Sequence, residues 1–571
     1  METLDIGNER IDDIPVLLYQ LQKMGIQRVV DEHIPRHGNW QGLSKGWITV
    51  IWLSYILSEA DHRMVVVRDW VSSKERLLCE LCGCEVSALD FTDDRLAAVL
   101  EALSRDAWWA AIEVALGQHL IQVYDLRKAP IRVDSTSVSV HHTVKDEGLF
   151  QFGYSKDRRP DLAQFKVMLS TLDPMGLPLA SLIPPGQESD ERAYLPTIER
   201  TRQIVGCGGY LYIGDSKMSA LALRGAIAQV ADFYLVPLPR RHQGKDQLSD
   251  WYQPVLDKEQ VLQAVDLPTA QTLWALGYES QREQSITIGD ETFTWSERVI
   301  MVFRPALARQ ERANLRQRLD RAQAELRQLA PKRLRAEPRW ESQAAMQAAA
   351  QLILKKYRVA DLLAVNCSRG EEQRLIRKYG DRPARTEIRI REGITIQPDS
   401  NAIRATRQLL GWRLYATNAP SPQLPLEKAL LTYRDAPRIE LDWRRLKGRS
   451  LGLRPVFTQR EDHTIGLARL LTLALRVLTL TDFVVREALQ QQGLSLKGLY
   501  PGQPQRATDQ PTTERLLKAF KGIDRVLIQT PHTLIRHVTP LSPLQYQILN
   551  LLGLAPELYD ALVQASRARP P

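Results

Sequence analysis

The segment TYRDAPRIELDWRRLKGR (432–449) sets the carboxylate of Glu440 among arginines and a lysine. An α-helix turns about 100° per residue, so on an unbroken helix Tyr433, Glu440, Arg444 and Lys447 fall within roughly 60° of one another. Such a face is either a solvated surface with helical ion pairs or an acid and bases that serve one ligand. Two further acids stand out. Asp134 lies in APIRVDSTSVSVHH, whose β-branched residues predict a strand with Ile131 and Val133 on one side and Asp134 on the other. An acid in an apolar strand is costly to bury unless it is paired or binds a metal. Asp215 closes the apolar run of GYLYIGDSKMS; it is either a functional acid at a strand end or the cap of a helix starting at Ser216. The gaps are 215 − 134 = 81 and 440 − 215 = 225 residues, so only folding can bring the three acids together.

The elements that position them follow from the pattern. Residues 1–125 read as helices, near 13–24, 46–59, 93–104 and 105–120 with Thr92 as a cap, forming a docking or assembly domain without obvious catalytic residues. Residues 126–240 begin an α/β core. The Asp134 strand is followed by a hairpin in QFKVMLSTLDPMGLPLASLI, turning at Asp173-Pro174-Met175-Gly176. A helix in DERAYLPTIERTRQIV, the strand before Asp215, a helix in SALALRGAIAQ and a strand in DFYLVPLP complete this half. That order predicts a mixed sheet covered by helices. The glycines of GCGGYLYIGD come mainly before the strand, whereas a dinucleotide site needs them between strand and helix.

Residues 241–404 interrupt the core with strand-like pieces and a long helix-prone stretch. Between Arg304 and Arg339, 11 Lys or Arg stand against 4 Asp or Glu, 11 − 4 = +7, which makes either a solvated helical pair or a surface for a polyanion's backbone. Sheet character returns at GWRLYATN within 405–490, which also holds the helices of Tyr433 and Glu440. Residues 491–571 form a tail ending in small helices, TERLLKAF and SPLQYQILNLLGL.

Composition sets the outer bounds. The 571 residues suffice for three or four domains, and 44% hydrophobic with 25% charged residues is ordinarily globular. A formal charge of +9 favours an anionic partner such as nucleic acid. The start, METLDIGNER, lacks the basic and apolar regions of a signal peptide. WITVIWLSYIL (47–57) is too short to span a bilayer, and IGLARLLTLALRVLTL is broken by Arg469 and Arg476, so both read as buried helices of a soluble intracellular protein. Five cysteines make no disulfide framework; Cys79, Cys82 and Cys84 read as reduced thiols, with a zinc site the weaker alternative.

Together the three acids and this element order resemble the acidic-triad (DDE) transposases of bacterial insertion sequences, whose core has the ribonuclease H-like fold. In that fold the first Asp lies on the first strand, the second just after the fourth, and the Glu on a later helix. One branch carries a Y-x2-R-x3-E-x6-K signature, whose positions are held here by Tyr433, Glu440 and Lys447. Its arginine position holds Ala436, with Arg434 and Arg438 nearby. Pro437 breaks the helix, leaving Tyr433 at the end of the preceding one while Glu440, Arg444 and Lys447 keep a common face. GYSKDRRPDLAQFKVML resembles the family's basic stretch between its first two strands, and GLPLASLIPPGQESD its hairpin. The resemblance runs through nearly the whole chain and points to a long-chain subgroup.

The resemblance implies a ribonuclease H-like mixed-sheet core with a long insertion before the Glu helix, flanked by helical N-terminal and small C-terminal regions. It implies that Asp134, Asp215 and Glu440 hold two Mg²⁺ ions, for which Mn²⁺ substitutes. Two such ions, roughly 4 Å apart, serve an in-line phosphodiester displacement. Oxygen ligands suit magnesium, so His141 and His142 are left as polar strand-end residues. Tyr433, Arg444 and Lys447, with Lys156, Arg158 and Arg159, would hold DNA phosphates. The implied activity is binding of an element's terminal inverted repeats, cleavage that exposes a 3′ hydroxyl, and joining to target DNA. It would proceed in a dimer or larger assembly on double-stranded DNA in the cytoplasm, associated with the nucleoid. Trp295 is either a core residue or stacks on an unpaired base. A nuclease of the same fold without strand transfer, and an inactive DNA-binding descendant, are the competing readings.

Overall fold

In a computed structural model, the described residues are 5–239, 243, 245–267, 272–330, 340–380, 383–434, 437–529 and 534–563. They fall into two compact units. One comprises Met1–Val236, Glu283–Ser296 and Thr417–Pro571, and the other Pro237–Arg282 and Glu297–Ala416.

The first unit opens with strand β1 (Asp5–Arg10) and continues in helices, among them Ile14–Lys23, Lys45–Glu59, Asp93–Ser104 and Asp106–Val123. Lys45–Glu59 is buried on nearly every side, from Ile48 to Leu57, which is why its sequence shows no polar face. Thr92 takes the cap position of the next helix without a side-chain bond. Helices Ile26–His33, Met64–Ser72 and Glu75–Cys82 complete the region and were not foreseen.

The core strands are β2 (Ile131–Val140), β3 (Ala163–Leu172), β4 (Leu177–Leu182), β5 (Leu211–Ile213) and β6 (Phe233–Leu238). Their order is β4-β3-β2-β5-β6. The β2–β3–β4 pairs are antiparallel, whereas β2–β5 and β5–β6 are parallel. The sheet is therefore mixed, as the element order predicted. β3 is buried along its whole length, so both faces are covered. Gly176 makes the β3–β4 turn with φ +73°, and a Cβ there would meet the Asp442 carboxylate at 2.7 Å. Glycine thus serves both the left-handed turn and the close approach of the helix that carries Glu440.

The long helix Glu461–Gln492 packs on this sheet and on the N-terminal helices. Arg469 and Arg476 are buried, as expected from their place in an apolar run. Arg476 reaches Glu113 at 3.0 Å and the carbonyls of Pro178 and Leu179. Glu113 also accepts from the Ser181 hydroxyl at 2.9 Å, so one ionic cluster ties an N-terminal helix, β4 and the long helix.

The second unit contains β7 (Gln263–Asp266), β8 (Leu273–Ile288), β9 (Glu291–Phe303), a hairpin of β10 (Leu363–Ile376) with β11 (Arg385–Pro398), and β12 (Trp412–Thr417), in part or whole. Its sheet order is β12-β9-β8-β7. Leu315, Leu319, Ala322 and Leu326 form the apolar stripe of helix Pro305–Arg327 and meet Met346, Ala350 and Leu354 of helix Gln343–Tyr357. The basic arm is thus an amphipathic helix for Pro305–Arg327, while 331–339 lies outside the described residues.

Back in the first unit, β13 (Asp524–Gln529) pairs antiparallel with β1 and with β14 (Leu534–Val538), joining the two ends of the sequence. Buried Arg525 of β13 pairs with Glu9 of β1 at 2.6 Å, across the two strands of this sheet. Among the described residues no helix is long and apolar enough to cross a membrane.

Candidate active site

Asp134 and Asp215 sit on adjacent parallel strands. Ile131 opposes Tyr212 and Arg132 opposes Ile213, so each acid lies two residues beyond the last matched pair. Asp215 follows β5 through Gly214, whose Cβ would collide with the Met218 sulfur at 2.4 Å. Its Oδ1 accepts from the Tyr194 hydroxyl and from the Lys217 amide, each at 2.8 Å. The following helix starts at Leu221, not Ser216, so the expected cap is corrected: Asp215 closes a tight turn and spends the same oxygen on Tyr194. Tyr194 is buried, and burial together with the Asp215 and Asp134 charges raises its pKa well above the phenol range. One hydroxyl therefore feels both acids and stays protonated.

Asp134 is partly exposed. Its Oδ2 accepts from the Trp443 indole at 3.0 Å and its Oδ1 faces the Lys156 ammonium at 3.4 Å. Trp443 lies on helix Pro437–Lys447, which Arg445 anchors to Asp482 at 2.8 Å and to Glu514 at 2.9 Å. Glu440 is exposed one turn before Trp443, and side chains three apart stand about 5–6 Å from each other at Cβ. Lys447, one turn after Trp443, bonds the Thr136 hydroxyl at 2.8 Å and Asp157 at 2.9 Å. Arg444 is exposed.

Among the described residues, no three His, Cys, Asp or Glu side chains are gathered closely enough to hold a metal ion. This form therefore brings Asp134 and Asp215 to one neighbour and leaves Glu440 a helical turn from the indole that holds Asp134. The same absence applies to Cys79, Cys82 and Cys84, which are partly buried free thiols.

Tyr433 lies in the last turn of helix Leu426–Arg434, separate from that of Glu440, as Pro437 requires. Ala436 lies outside the described residues. Arg158 and Arg159 are exposed in the loop before β3, and Arg159 pairs with Asp161 at 2.7 Å. Trp295 is buried and donates to the Tyr234 hydroxyl at 2.9 Å, so of its two readings the core one holds.

Sequence reasoning missed Asp190. Buried at the first turn of helix Asp190–Val205, it takes Lys166 at 2.7 Å and Lys217 at 2.5 Å, with Lys156 at 3.7 Å. Burial pushes its carboxyl up, but hydrogen bonds from Lys166 and Lys217 outweigh that and hold it well below the usual carboxylate range. Asp190 and Tyr194 are four residues apart and share one helix face. The signal available was Lys166, a base in the middle of the apolar strand QFKVML.

The family described as Transposase DDE domain matches residues 128–476, which include all three acids. The chain belongs to the DDE transposase family. No curated protein matches the transposase. Among solved structures, it is similar to a piggyBac transposase synaptic complex with hairpin DNA determined by cryo-EM. The likeness has 10% identity and a TM-score of 0.23, over 52% of this chain and 60% of that one. A similarity that small fixes neither fold nor partner.

DDE transposases use divalent metal ions. The donors of this transposase fit such ions: Asp134 and Asp215 offer oxygen only, and a cationic group, Lys156, already rests on Asp134.

Proposed function

We propose that the protein is a DNA transposase with a ribonuclease H-like core. It binds the terminal inverted repeats of an insertion sequence, cleaves the DNA, and joins the 3′ end to target DNA as a dimer or larger assembly. The observation that carries the reading is the family match across Asp134, Asp215 and Glu440. The strand order β4-β3-β2-β5-β6, two antiparallel pairs followed by two parallel ones, supports the core assignment.

In this reading Asp134, Asp215 and Glu440 hold two Mg²⁺ ions, or Mn²⁺. Bound there, such ions supply activation of the attacking oxygen and neutralisation of charge on the leaving one. The chain's own residues set the geometry. Tyr194 orients Asp215, Trp443 orients Asp134, and Arg445 fixes the helix that carries Glu440. Tyr433, Arg444 and Lys447, with Lys156, Arg158 and Arg159, hold DNA phosphates and so align the scissile bond. The insertion 241–404 is read as a domain of its own between the two halves of the core.

Cleavage of the element's own ends, in Mg²⁺ or EDTA, tests the assignment. Wild type with Mg²⁺ cuts; EDTA, Asp134→Asn, Asp215→Asn and Glu440→Gln each abolish cutting while end binding persists. An active Asp134→Asn enzyme refutes it.

A further inference from the structure

Two consecutive residues of the loop before β3 each occupy a seat of opposite charge. Lys156 places its ammonium 3.4 Å from Asp134 Oδ1, held there by the Ser135 carbonyl at 2.5 Å and the Ser135 hydroxyl at 2.8 Å. Asp157 places its carboxylate between two bases, with Oδ1 2.9 Å from Lys447 and Oδ2 2.8 Å from Arg454. The Lys156 amide bonds the Ser137 hydroxyl at 2.9 Å, so the loop lies along β2 beside the candidate active site. Arg158 follows with φ +59°, a left-handed backbone state uncommon for an arginine.

We propose that Lys156 and Asp157 form a built-in mimic of the cation and phosphate that the site takes up. Lys156 stands in for a divalent cation on Asp134. Asp157 stands in for a DNA phosphodiester on an anion subsite made by Lys447 and Arg454. The inference rests on the proposed function and adds Arg454 to the phosphate-holding residues.

Charge chemistry carries the argument. A carboxylate accepting from both an ammonium and a guanidinium has the donor environment of a phosphate oxygen pair. An ammonium against a carboxylate that also accepts an indole N–H satisfies the negative charge a divalent ion would otherwise satisfy. Both mimics are neighbours in sequence, so displacing one loosens the other. The same ammonium also lies 3.7 Å from Asp190 Oδ2, an oxygen that Lys217 already holds at 2.5 Å. Metal ion and DNA should therefore bind with positive coupling, since each removes part of the cost of moving the loop for the other.

The test uses the full chain, Mn²⁺ alone read by its electron paramagnetic resonance signal, and a short duplex of arbitrary sequence read by fluorescence anisotropy in EDTA. Lys156→Met is expected to tighten Mn²⁺ binding about tenfold, and Asp157→Asn to tighten duplex binding about tenfold. Arg454→Ala is expected to weaken duplex binding, and Lys156→Arg, which keeps a cation on Asp134, to retain weak Mn²⁺ binding. Duplex should strengthen Mn²⁺ binding in wild type, and this coupling should vanish in the Lys156→Met/Asp157→Asn double variant. If Lys156→Met does not fold, Lys156→Gln carries the same expectation.

Two results separate the ways of failing. Mn²⁺ and duplex affinities unchanged or weaker in Lys156→Met and Asp157→Asn, with Asp134→Asn abolishing Mn²⁺ binding, overturn the mimic and spare the site. Mn²⁺ binding untouched by Asp134→Asn overturns the site and the mimic with it.

Discussion

Tyr194→Phe isolates one positioning contact. The ring is buried and its hydroxyl donates to Asp215 Oδ1 at 2.8 Å. Phenylalanine fills the same space, so the change removes one hydrogen bond and opens little cavity. A hydrogen bond to a charged group contributes roughly 1.5–3 kcal/mol. Asp215 is only half-buried and keeps the Lys217 amide, so water recovers part of the loss. The expected destabilisation is about 1–2 kcal/mol. If Asp215 ligates metal as proposed, the functional effect falls on metal affinity, where losing a partner of a ligating carboxylate costs about 10–100-fold. At about 1.4 kcal/mol per decade this equals about 1.4–2.8 kcal/mol, the same scale as the lost bond.

The assay is end cleavage against Mg²⁺ concentration, alongside urea denaturation. Half-maximal cleavage should need about 10–100-fold more Mg²⁺, with the rate largely restored at saturation and end binding unchanged. Because burial and the two carboxylates hold the Tyr194 pKa well above its ordinary value, the hydroxyl remains a donor and the defect should not vary between about pH 6 and pH 9. An unchanged Mg²⁺ requirement would show that Tyr194 does not position Asp215 for a metal.

Other perturbations follow from the same contacts. Trp443→Phe deletes the indole bond to Asp134 while Arg445 still anchors the helix, so cleavage at fixed Mg²⁺ should drop about tenfold with little change in melting temperature; a wild-type rate would dismiss the contact. Glu113→Ala leaves the Arg476 guanidinium buried without its acid and should cost about 3–5 kcal/mol in urea denaturation, with Glu113→Leu/Arg476→Met recovering much of it. A single-variant loss below about 1 kcal/mol would mean the pair is not buried as described. Asp190 has a depressed pKa, so its ionised form adds stability above the ordinary carboxylate pKa, and that contribution is lost as pH falls through the lower folded value. The stability gap between wild type and Asp190→Asn should therefore close toward acid, and a gap independent of pH would contradict the lysine cluster.

What could be read in the sequence was local. β2 was visible because β-branched residues recur over ten positions, and Asp134 stood out as an acid inside that run. The β3–β4 hairpin followed from its turn residues, and the break at Pro437 from the ring's missing N–H. The helix read in SALALRGAIAQ begins two residues later, at Leu221, and the alternative start at Ser216 with Asp215 as cap fails, because the Asp215 side chain closes a turn and meets Tyr194, a partner the neighbouring residues do not reveal.

The sequence by itself determined the family, through residue types at set places along the chain, and the elements of the core, through periodicities spanning one element, while three short N-terminal helices escaped it. Tertiary structure alone decided which side chains meet: Trp443 with Asp134 across 309 residues, Lys447 with Asp157 across 290, and β1 with β13 at opposite ends. Periodicity carries no information about such pairs. They arise when helices and strands pack to bury their apolar faces, and the polar residues left at the seams take whichever partners that packing brings within reach.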